Sequence, residues 1–133
     1  MEKEFVPYKL AVKLKALGFD EPCLKSYGTD GLLNENDHEM YLSAPTFSQA
    51  FRWFRENHRM FHEVFIDTEP TVDNPDKLEF TYLILHMVGI EHMYTDKTKG
   101  KRFDTYEEAE LACLDRLIDV ITNKKIFDFV TDL

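Results

Sequence analysis

The apolar positions along the chain follow two different spacings, and each spacing predicts a different kind of element. Near the start, in the middle and near the end, apolar residues recur every three or four positions, as one face of a helix requires. Elsewhere they alternate with polar residues, as a half-buried strand requires. The first spacing predicts three helices, at residues 6–17, 43–59 and 105–125.

Capping signals mark the ends of these helices. Gly18 follows the last apolar residue of the first helix and suits the left-handed position that ends many helices. Thr46 with Gln49, and Thr105 with Glu108, have the spacing of a capping box, in which side chains satisfy backbone N–H groups of the first turn. The two threonines are therefore predicted to cap the first turns of the second and third helices.

The alternating pattern predicts two longer strands, at 61–68 and 78–88, joined by an acidic loop that contains Pro70 and Pro75. The second of these strands carries apolar residues on both faces. This composition favours either a central place in a sheet or a homodimer interface on the second face, which holds Leu83, Leu85 and Met87.

Shorter patterns complete the prediction. Brief extended segments are expected at 23–27, around 40–42 and at 101–103, and the second of them is expected to pair with the first. Two polar stretches, 34–39 and 89–100, are expected to be loops because they are rich in turn-forming residues.

The order of these elements predicts an α+β fold. We expect a two-layer sandwich in which a small, mostly antiparallel sheet packs against about three helices. At 133 residues the chain has the usual size of a single domain, 1–133. Within it, residues 1–42 are expected to pack on an α-β-β-α core at 43–125, and the apolar tail 126–133 is expected to dock on the body.

The charge of the chain is high and uneven. It has 16 Lys and Arg against 25 Asp and Glu, a formal net charge of -9. General binding of DNA or RNA is disfavoured, because such binding needs cations that neutralise phosphates. Residues 26–42 hold four acids and no Lys or Arg, and residues 63–79 hold six acids and one Lys. The predicted second helix is locally basic, so the sequence predicts a polarised surface.

The most distinctive surface candidate is on this second helix, at Arg52, Trp53, Arg55 and Arg59. Arginines beside an aromatic side chain could bind an anion, a nucleic acid or an acidic partner. In the alternative interpretation, Trp53 covers the margin of the core and the arginines pair with the chain's own acids. The excess of acids favours the alternative.

No motif in the sequence predicts a catalytic residue, a metal site or a cofactor. His58 and His62 have the i, i+4 spacing that binds one metal on a continuous helix, but the helix is expected to end near Arg59. Cys113 lies in an apolar helix sector and Cys23 carries no local signature, so both are expected to be packed thiols. An enzyme would need a pocket that converges on His86 or His92 and an acid.

The sequence also carries no signal for a membrane. The first residues have no apolar signal-peptide core, and the longest apolar run, 83–90, is too short to span a bilayer. We therefore expect a cytoplasmic protein with no membrane partner.

Two phrases resemble sequences of uncharacterised short proteins from bacterial mobile elements and phages. They are Gln49-Ala50-Phe51-Arg52-Trp53-Phe54-Arg55-Glu56 and Thr105-Tyr106-Glu107-Glu108-Ala109-Glu110-Leu111-Ala112-Cys113-Leu114. The resemblance implies a cytoplasmic accessory protein and no catalytic residue.

The order of elements from Pro45 onward is similar to that of double-stranded RNA-binding domains. In that family the last helix begins with lysines that face phosphates, whereas here it begins with Tyr106, Glu107 and Glu108. Carboxylates at that position would repel an RNA backbone, so the resemblance implies a topology without the RNA-binding function.

Three functions remain open from the sequence. The leading hypothesis is a non-enzymatic protein-interaction or regulatory accessory module, whose acidic segments 30–39 and 63–79 suit a basic protein partner or mimic a nucleic acid. The first alternative is a nucleic-acid-binding domain that uses the arginines of the second helix. The second alternative is a small enzyme with an unidentified site.

Overall fold

The computed structural model describes residues 4–35, 42–88, 92–97, 101–123 and 129–132. In these ranges the helices are α1 (Tyr8–Ala16), α2 (Phe47–His58) and α3 (Tyr106–Asn123). The strands are β1 (Lys25–Tyr27), β2 (Leu33–Glu35), β3 (Leu42–Ala44), β4 (Met60–Thr68), β5 (Glu79–Val88), β6 (His92–Lys97) and β7 (Phe129–Asp132).

The strands form two antiparallel sheets, in the orders β2-β1-β3 and β4-β5-β6-β7. The α+β class predicted from the sequence is confirmed. The number of sheets differs from the prediction, because the short strands of the first half pair with one another and form a second sheet.

The chain divides into two compact units, Met1–Trp53 and Phe54–Leu133, and the boundary falls inside α2. The arrangement of 1–42, 43–125 and 126–133 within a single domain stays a prediction. In the described part of the chain, no helix is both long enough and apolar enough to cross a membrane.

Helix α1 ends as its sequence predicts. Gly18 has a φ of +103°, which a residue with a side chain rarely adopts. The N–H of Phe19 donates to the carbonyl of Leu14 at 3.0 Å, and the N–H of Gly18 donates to that of Lys15 at 3.0 Å. These two bonds define a Schellman cap, which turns Phe19 back onto the buried side of the helix.

The first sheet is small and is tied to the start of the chain. The hydroxyl of Tyr27 donates a buried hydrogen bond of 2.7 Å to the carbonyl of Val6. Strand β2 occupies Asn34 and Glu35, where the sequence predicted a loop, because a strand of three residues is too short to show an alternating pattern. Strand β3 pairs with β1, as expected for the segment near residue 42, and residues 36–41 lie outside the described ranges.

Helix α2 makes only half of its predicted capping box. The N–H of Gln49 donates to the hydroxyl of Thr46 at 3.1 Å. The side chain of Gln49 does not reach back to the cap; it donates instead to the carbonyl of Pro22 at 2.8 Å. The helix begins four residues later than predicted because Ser43 and Ala44 belong to β3.

Strands β4 and β5 form the long hairpin of the second unit. Their register runs from Met60 opposite His86 to Ile66 opposite Phe80, and an irregularity follows between Ile66 and Thr68. β5 also pairs with β6, so it has a neighbour on each side. The predicted central position of the 78–88 strand is therefore confirmed.

Strand β6 corrects the prediction that 89–100 is a loop. Its residues His92–Lys97 are largely polar, so they show no alternation, and their strand conformation comes from pairing with β5. β7 pairs with β6 in turn, while 124–128 lie outside the described residues. The predicted strand at 101–103 is reduced to an isolated bridge, in which Phe80 and Phe103 exchange two 2.8 Å hydrogen bonds.

Helix α3 begins at its predicted cap and packs against β4 and β5. The N–H of Glu108 donates to the hydroxyl of Thr105 at 3.1 Å, and that hydroxyl donates to the Glu108 carboxylate at 3.2 Å. Leu111 shares the helical spacing of the apolar residues but is 39% exposed. The buried positions are Ala109, Cys113, Leu114, Leu117, Ile118 and Val120.

Candidate functional site

The four residues of the surface predicted on α2 differ in exposure: the three arginines are exposed and the tryptophan is buried. Arg52 and Arg55 lie on the exposed side of the helix, and Arg59 follows its end with a φ of +54°. Trp53, in contrast, is only 6% exposed and packs edge-to-face against Phe19 at 5.6 Å. This burial supports the alternative in which Trp53 covers the margin of the core, because a large indole next to apolar neighbours gains more from burial than from contact with water. The interaction surface on α2 stays a prediction.

The exposed arginines have different surroundings. The guanidinium of Arg52 lies 3.8 Å from the carboxylate of Glu21, and its side chain is 52% exposed. An ion pair this exposed contributes less than about 1 kcal/mol. Arg55 lies near His62, where its charge adds to the effect of burial and lowers the pKa of that imidazole to about 4. At neutral pH, His62 therefore adds no charge to this surface.

The histidines do not form the metal pair that their spacing could allow. α2 ends at His58, so His62 lies on β4 and does not follow on the same helix. Burial lowers the pKa of His58, and burial together with the nearby His58 lowers the pKa of His86. In the ranges that the structure describes, no group of three or more His, Cys, Asp or Glu side chains could hold a metal ion. His38 lies outside these ranges.

A shallow groove of about 400 Å³ lies beside the start of α2 in the first unit. Cys23 contributes to its wall, and its thiol donates a long hydrogen bond of 3.4 Å to the carbonyl of Glu21. Burial raises the pKa of this thiol to about 11. At neutral pH the thiol is therefore protonated and is a poor nucleophile. Cys113 is fully buried in α3, as the sequence predicted.

A different feature of the second unit carries a concentrated charge. We call the segment from Met60 to Val88 the acidic hairpin; it consists of β4, β5 and the loop between them. Hydrogen bonds shape the tip of its loop: the N–H groups of Thr71 and Asn74 each donate to the carbonyl of the other, at 3.1 and 3.2 Å. Val72, between them, is 99% exposed. Five exposed carboxylates belong to the hairpin: Glu63, Asp67, Glu69, Asp73 and Asp76.

Two acids near this loop have cationic neighbours. Arg102 donates from its Nε to the carboxylate of Asp67. Glu79 is half-buried, and one of its oxygens lies 3.9 Å from the Lys77 ammonium, which is close enough for attraction but too far for a hydrogen bond. In the described part of the chain, the carboxylates of Glu69 and Asp73 make no ion pair. The negative charge of the loop is thus mostly exposed to solvent.

The sequence pattern did not predict that β4 lies at the outer edge of its sheet. This strand is first in the order β4-β5-β6-β7, and Met60 alone among its nine residues is buried. Phe61 is 39% exposed and Ile66 is 49% exposed. The loose alternation of residues 61–68 is the signal that could have indicated an edge strand, because an edge strand buries neither face completely.

The second face of β5 was predicted as a homodimer interface. Leu83, Leu85 and Met87 are half-buried there, so each keeps some apolar surface open to solvent. The homodimer stays a prediction.

Comparisons with known proteins show one local similarity. No protein-family profile matches the chain, and no solved structure matches it. A stretch of 67 residues is 36% identical to part of a Drosophila melanogaster protein named 5'-3' exoribonuclease 2 homolog. The stretch covers 48% of this chain and 7% of that protein. A similarity to so small a share of the larger protein does not show a family.

Proposed function

We propose that this protein is a non-enzymatic interaction module, an accessory or regulatory protein of the cytoplasm, whose acidic hairpin binds a basic segment of a partner protein. The observation that carries the proposal is the concentration of five exposed carboxylates on one hairpin, in a stretch where Lys77 is the single basic residue.

The electrostatics of the hairpin favour a cationic partner. Like charges on neighbouring positions repel one another, and a bound Lys or Arg side chain relieves that repulsion. The hydrogen-bonded turn at Thr71 and Asn74 holds the loop in one conformation, so less ordering is required when a partner binds. Because the carboxylates are exposed, salt screens the attraction, and association should slow as ionic strength rises.

The cysteine and histidine side chains, which are the types most often used in catalysis, support a non-enzymatic role here. Cys23 has a raised pKa and is protonated at neutral pH, whereas a nucleophilic thiol needs a lowered one. The lowered pKa values of His58, His62 and His86 keep these imidazoles neutral, and each is at least partly buried. These features fit packing better than catalysis.

The proposal can be tested with a fluorescent oligolysine peptide and two matched triple variants. The hairpin variant is Glu69→Gln, Asp73→Asn, Asp76→Asn, and the control is Glu4→Gln, Asp20→Asn, Glu35→Gln; all six positions are exposed. Both variants change the net charge by the same amount. We expect the hairpin variant to weaken binding on the order of tenfold at low salt, measured by fluorescence anisotropy, and the control to change it little. Equal losses in both variants would show that only net charge matters and would overturn the proposal.

A second candidate function is nucleic-acid binding through Arg55 and Arg59. Both arginines are exposed, and the local similarity to a protein named as an exoribonuclease homolog favours a place near RNA. This function predicts an affinity for single-stranded RNA that falls steeply with salt and is lost in Arg55→Glu, Arg59→Glu. A flat filter-binding series at low salt would exclude it.

A further inference from the structure

We propose that the outer edge of β4 receives the partner's basic segment as an additional strand of the β4-β5-β6-β7 sheet. This inference rests on the proposed function and specifies how the acidic hairpin holds its partner. Addition of an extended peptide to a sheet edge uses backbone hydrogen bonds for affinity and alternate side chains for specificity.

The backbone register shows which groups of β4 face outward. The N–H of Met87 donates to the carbonyl of Arg59 at 3.0 Å, so these two residues form a hydrogen-bonded pair of the antiparallel ladder. Such pairs alternate along a ladder, and the pairing of β4 with β5 is regular up to Ile66. The backbone N–H and C=O groups of Val64 and Ile66 therefore point away from β5. In the described ranges, no element other than β5 pairs with this strand.

The side chains beside this edge define the partner. Phe61, Glu63 and Phe65 alternate along β4 and share one face of the sheet. Phe61 and Glu63 are exposed and Phe65 is half-buried. A strand added to this edge would place its own alternate side chains opposite them. The pattern that fits is bulky apolar, then Lys or Arg, then bulky apolar, because apolar and opposite-charge pairs across strands are each favourable.

Charge argues against a second copy of this chain as the occupant. Two copies paired through β4 would bring together two sets of Glu63 and Asp67 carboxylates, together with two acidic loops, and like charges across strands are destabilising. The irregularity between Ile66 and Thr68 also shortens the regular edge. Charges and bulges of this kind prevent self-pairing at natural sheet edges, but the same charges attract a cationic strand.

Two isomeric peptides and two variants of one residue test the inference. The first peptide is valine-threonine-lysine-threonine-valine-threonine-lysine. The second has the same composition, with the lysines moved to neighbouring positions so that they would face the other side of the sheet. Val64→Pro removes an outward N–H without removing a hydrogen bond to β5, and the control Val64→Ala shortens the side chain but keeps the N–H. Thermal melts followed by circular dichroism establish that both variants fold.

We expect the first peptide to bind more tightly than its isomer, and Val64→Pro to weaken that binding at least tenfold relative to Val64→Ala. A charge exchange gives a second readout if Val64→Pro does not fold. Glu63→Lys should reject the first peptide and accept a version in which glutamates replace the lysines.

The outcomes separate this inference from the proposed function. If both isomers bind equally and neither Val64→Pro nor the charge exchange matters, while the hairpin triple variant still loses binding, the strand-addition inference is overturned and the acidic hairpin keeps its function. If neither the isomers nor oligolysine binds the unmodified protein, both proposals fail. A dimer in light scattering that Val64→Pro dissociates would mean that a second copy occupies the edge, which also overturns the inference.

Discussion

Helix α2 and the loop of the acidic hairpin both carry a run of like charges, but only the helix has buried residues on its opposite side. The arginines of α2 project from a helix whose other side holds the buried Trp53 and Phe54. The loop at 69–78 has no buried residue. Changes beneath the helix should therefore affect folding, whereas changes in the loop should affect binding and leave folding almost intact.

The strongest test of this contrast is Trp53→Ala. The substitution removes a large side chain that is 6% exposed and packs on Phe19, and it leaves a cavity behind. We expect a loss of about 3–5 kcal/mol in the free energy of unfolding, measured by urea denaturation. Arg52→Ala, one position earlier and half-exposed, is the matched control, for which we expect a loss below about 1 kcal/mol. Similar losses for the two variants would contradict the assignment of Trp53 to the core.

The next test uses the pH dependence of stability and concerns His62, which lies on β4 shortly after the end of α2. His62 has a pKa lowered from its ordinary 6.5 to about 4, chiefly by burial and also by Arg55. Between these two pH values the unfolded chain binds a proton that the folded chain does not. The stability contributed by neutral His62 is therefore fully present above about pH 6.5 and is lost as the pH falls toward 4. We expect His62→Gln to remove about 2 kcal/mol of this acid sensitivity, after allowance for partial exposure.

Urea midpoints at several pH values between 4 and 7 would measure that difference. His58 and His86 also have lowered pKa values and supply a smaller slope that the His62→Gln variant retains. An unchanged slope in the variant would show that His62 is not the residue that resists protonation.

Substitutions in the two capping boxes should have smaller effects on stability, and these effects should differ between the boxes. Thr46 and Thr105 each accept a 3.1 Å hydrogen bond from a backbone N–H in the first turn of their helices. Replacement of either by Ala should cost about 1 kcal/mol. Glu108 also accepts from Thr105, whereas Gln49 donates to Pro22, so Glu108→Ala should weaken the cap of α3. Gln49→Ala should instead loosen the segment at Pro22, which amide hydrogen exchange of Cys23 and Leu24 can detect.

Those two boxes show what the sequence can and cannot predict. Thr46 and Thr105 were both located from a local pattern, because an N-cap bond joins residues three positions apart. The bond from Gln49 to Pro22 spans 27 positions and no local pattern contains it. The strand at His92–Lys97 was missed for the same reason, since its conformation depends on pairing with Leu83–Val88.

The candidate site follows the same rule. The acids of the loop were evident from composition, and Gly18, Pro70 and Pro75 placed the turns correctly. The outer edge of β4 was signalled only by the loose alternation of residues 61–68, because sheet order is a property of several strands at once. The burial of Trp53 was part of one interpretation of the arginine-rich helix, and its contact with Phe19 supports that part.

The smallest predicted effect on folding belongs to the loop itself. Glu69→Gln, Asp73→Asn, Asp76→Asn removes three exposed carboxylates from a segment with one lysine, so it should raise the free energy of unfolding slightly, by less than about 1 kcal/mol, through relief of repulsion. The gain should shrink as salt is added, because salt already screens these charges. Urea denaturation at low and high salt would measure both values. A loss of stability in this variant would mean that the carboxylates stabilise the hairpin. The loop would then contribute to folding, as the buried residues of α2 do, and the contrast between the two regions would be wrong.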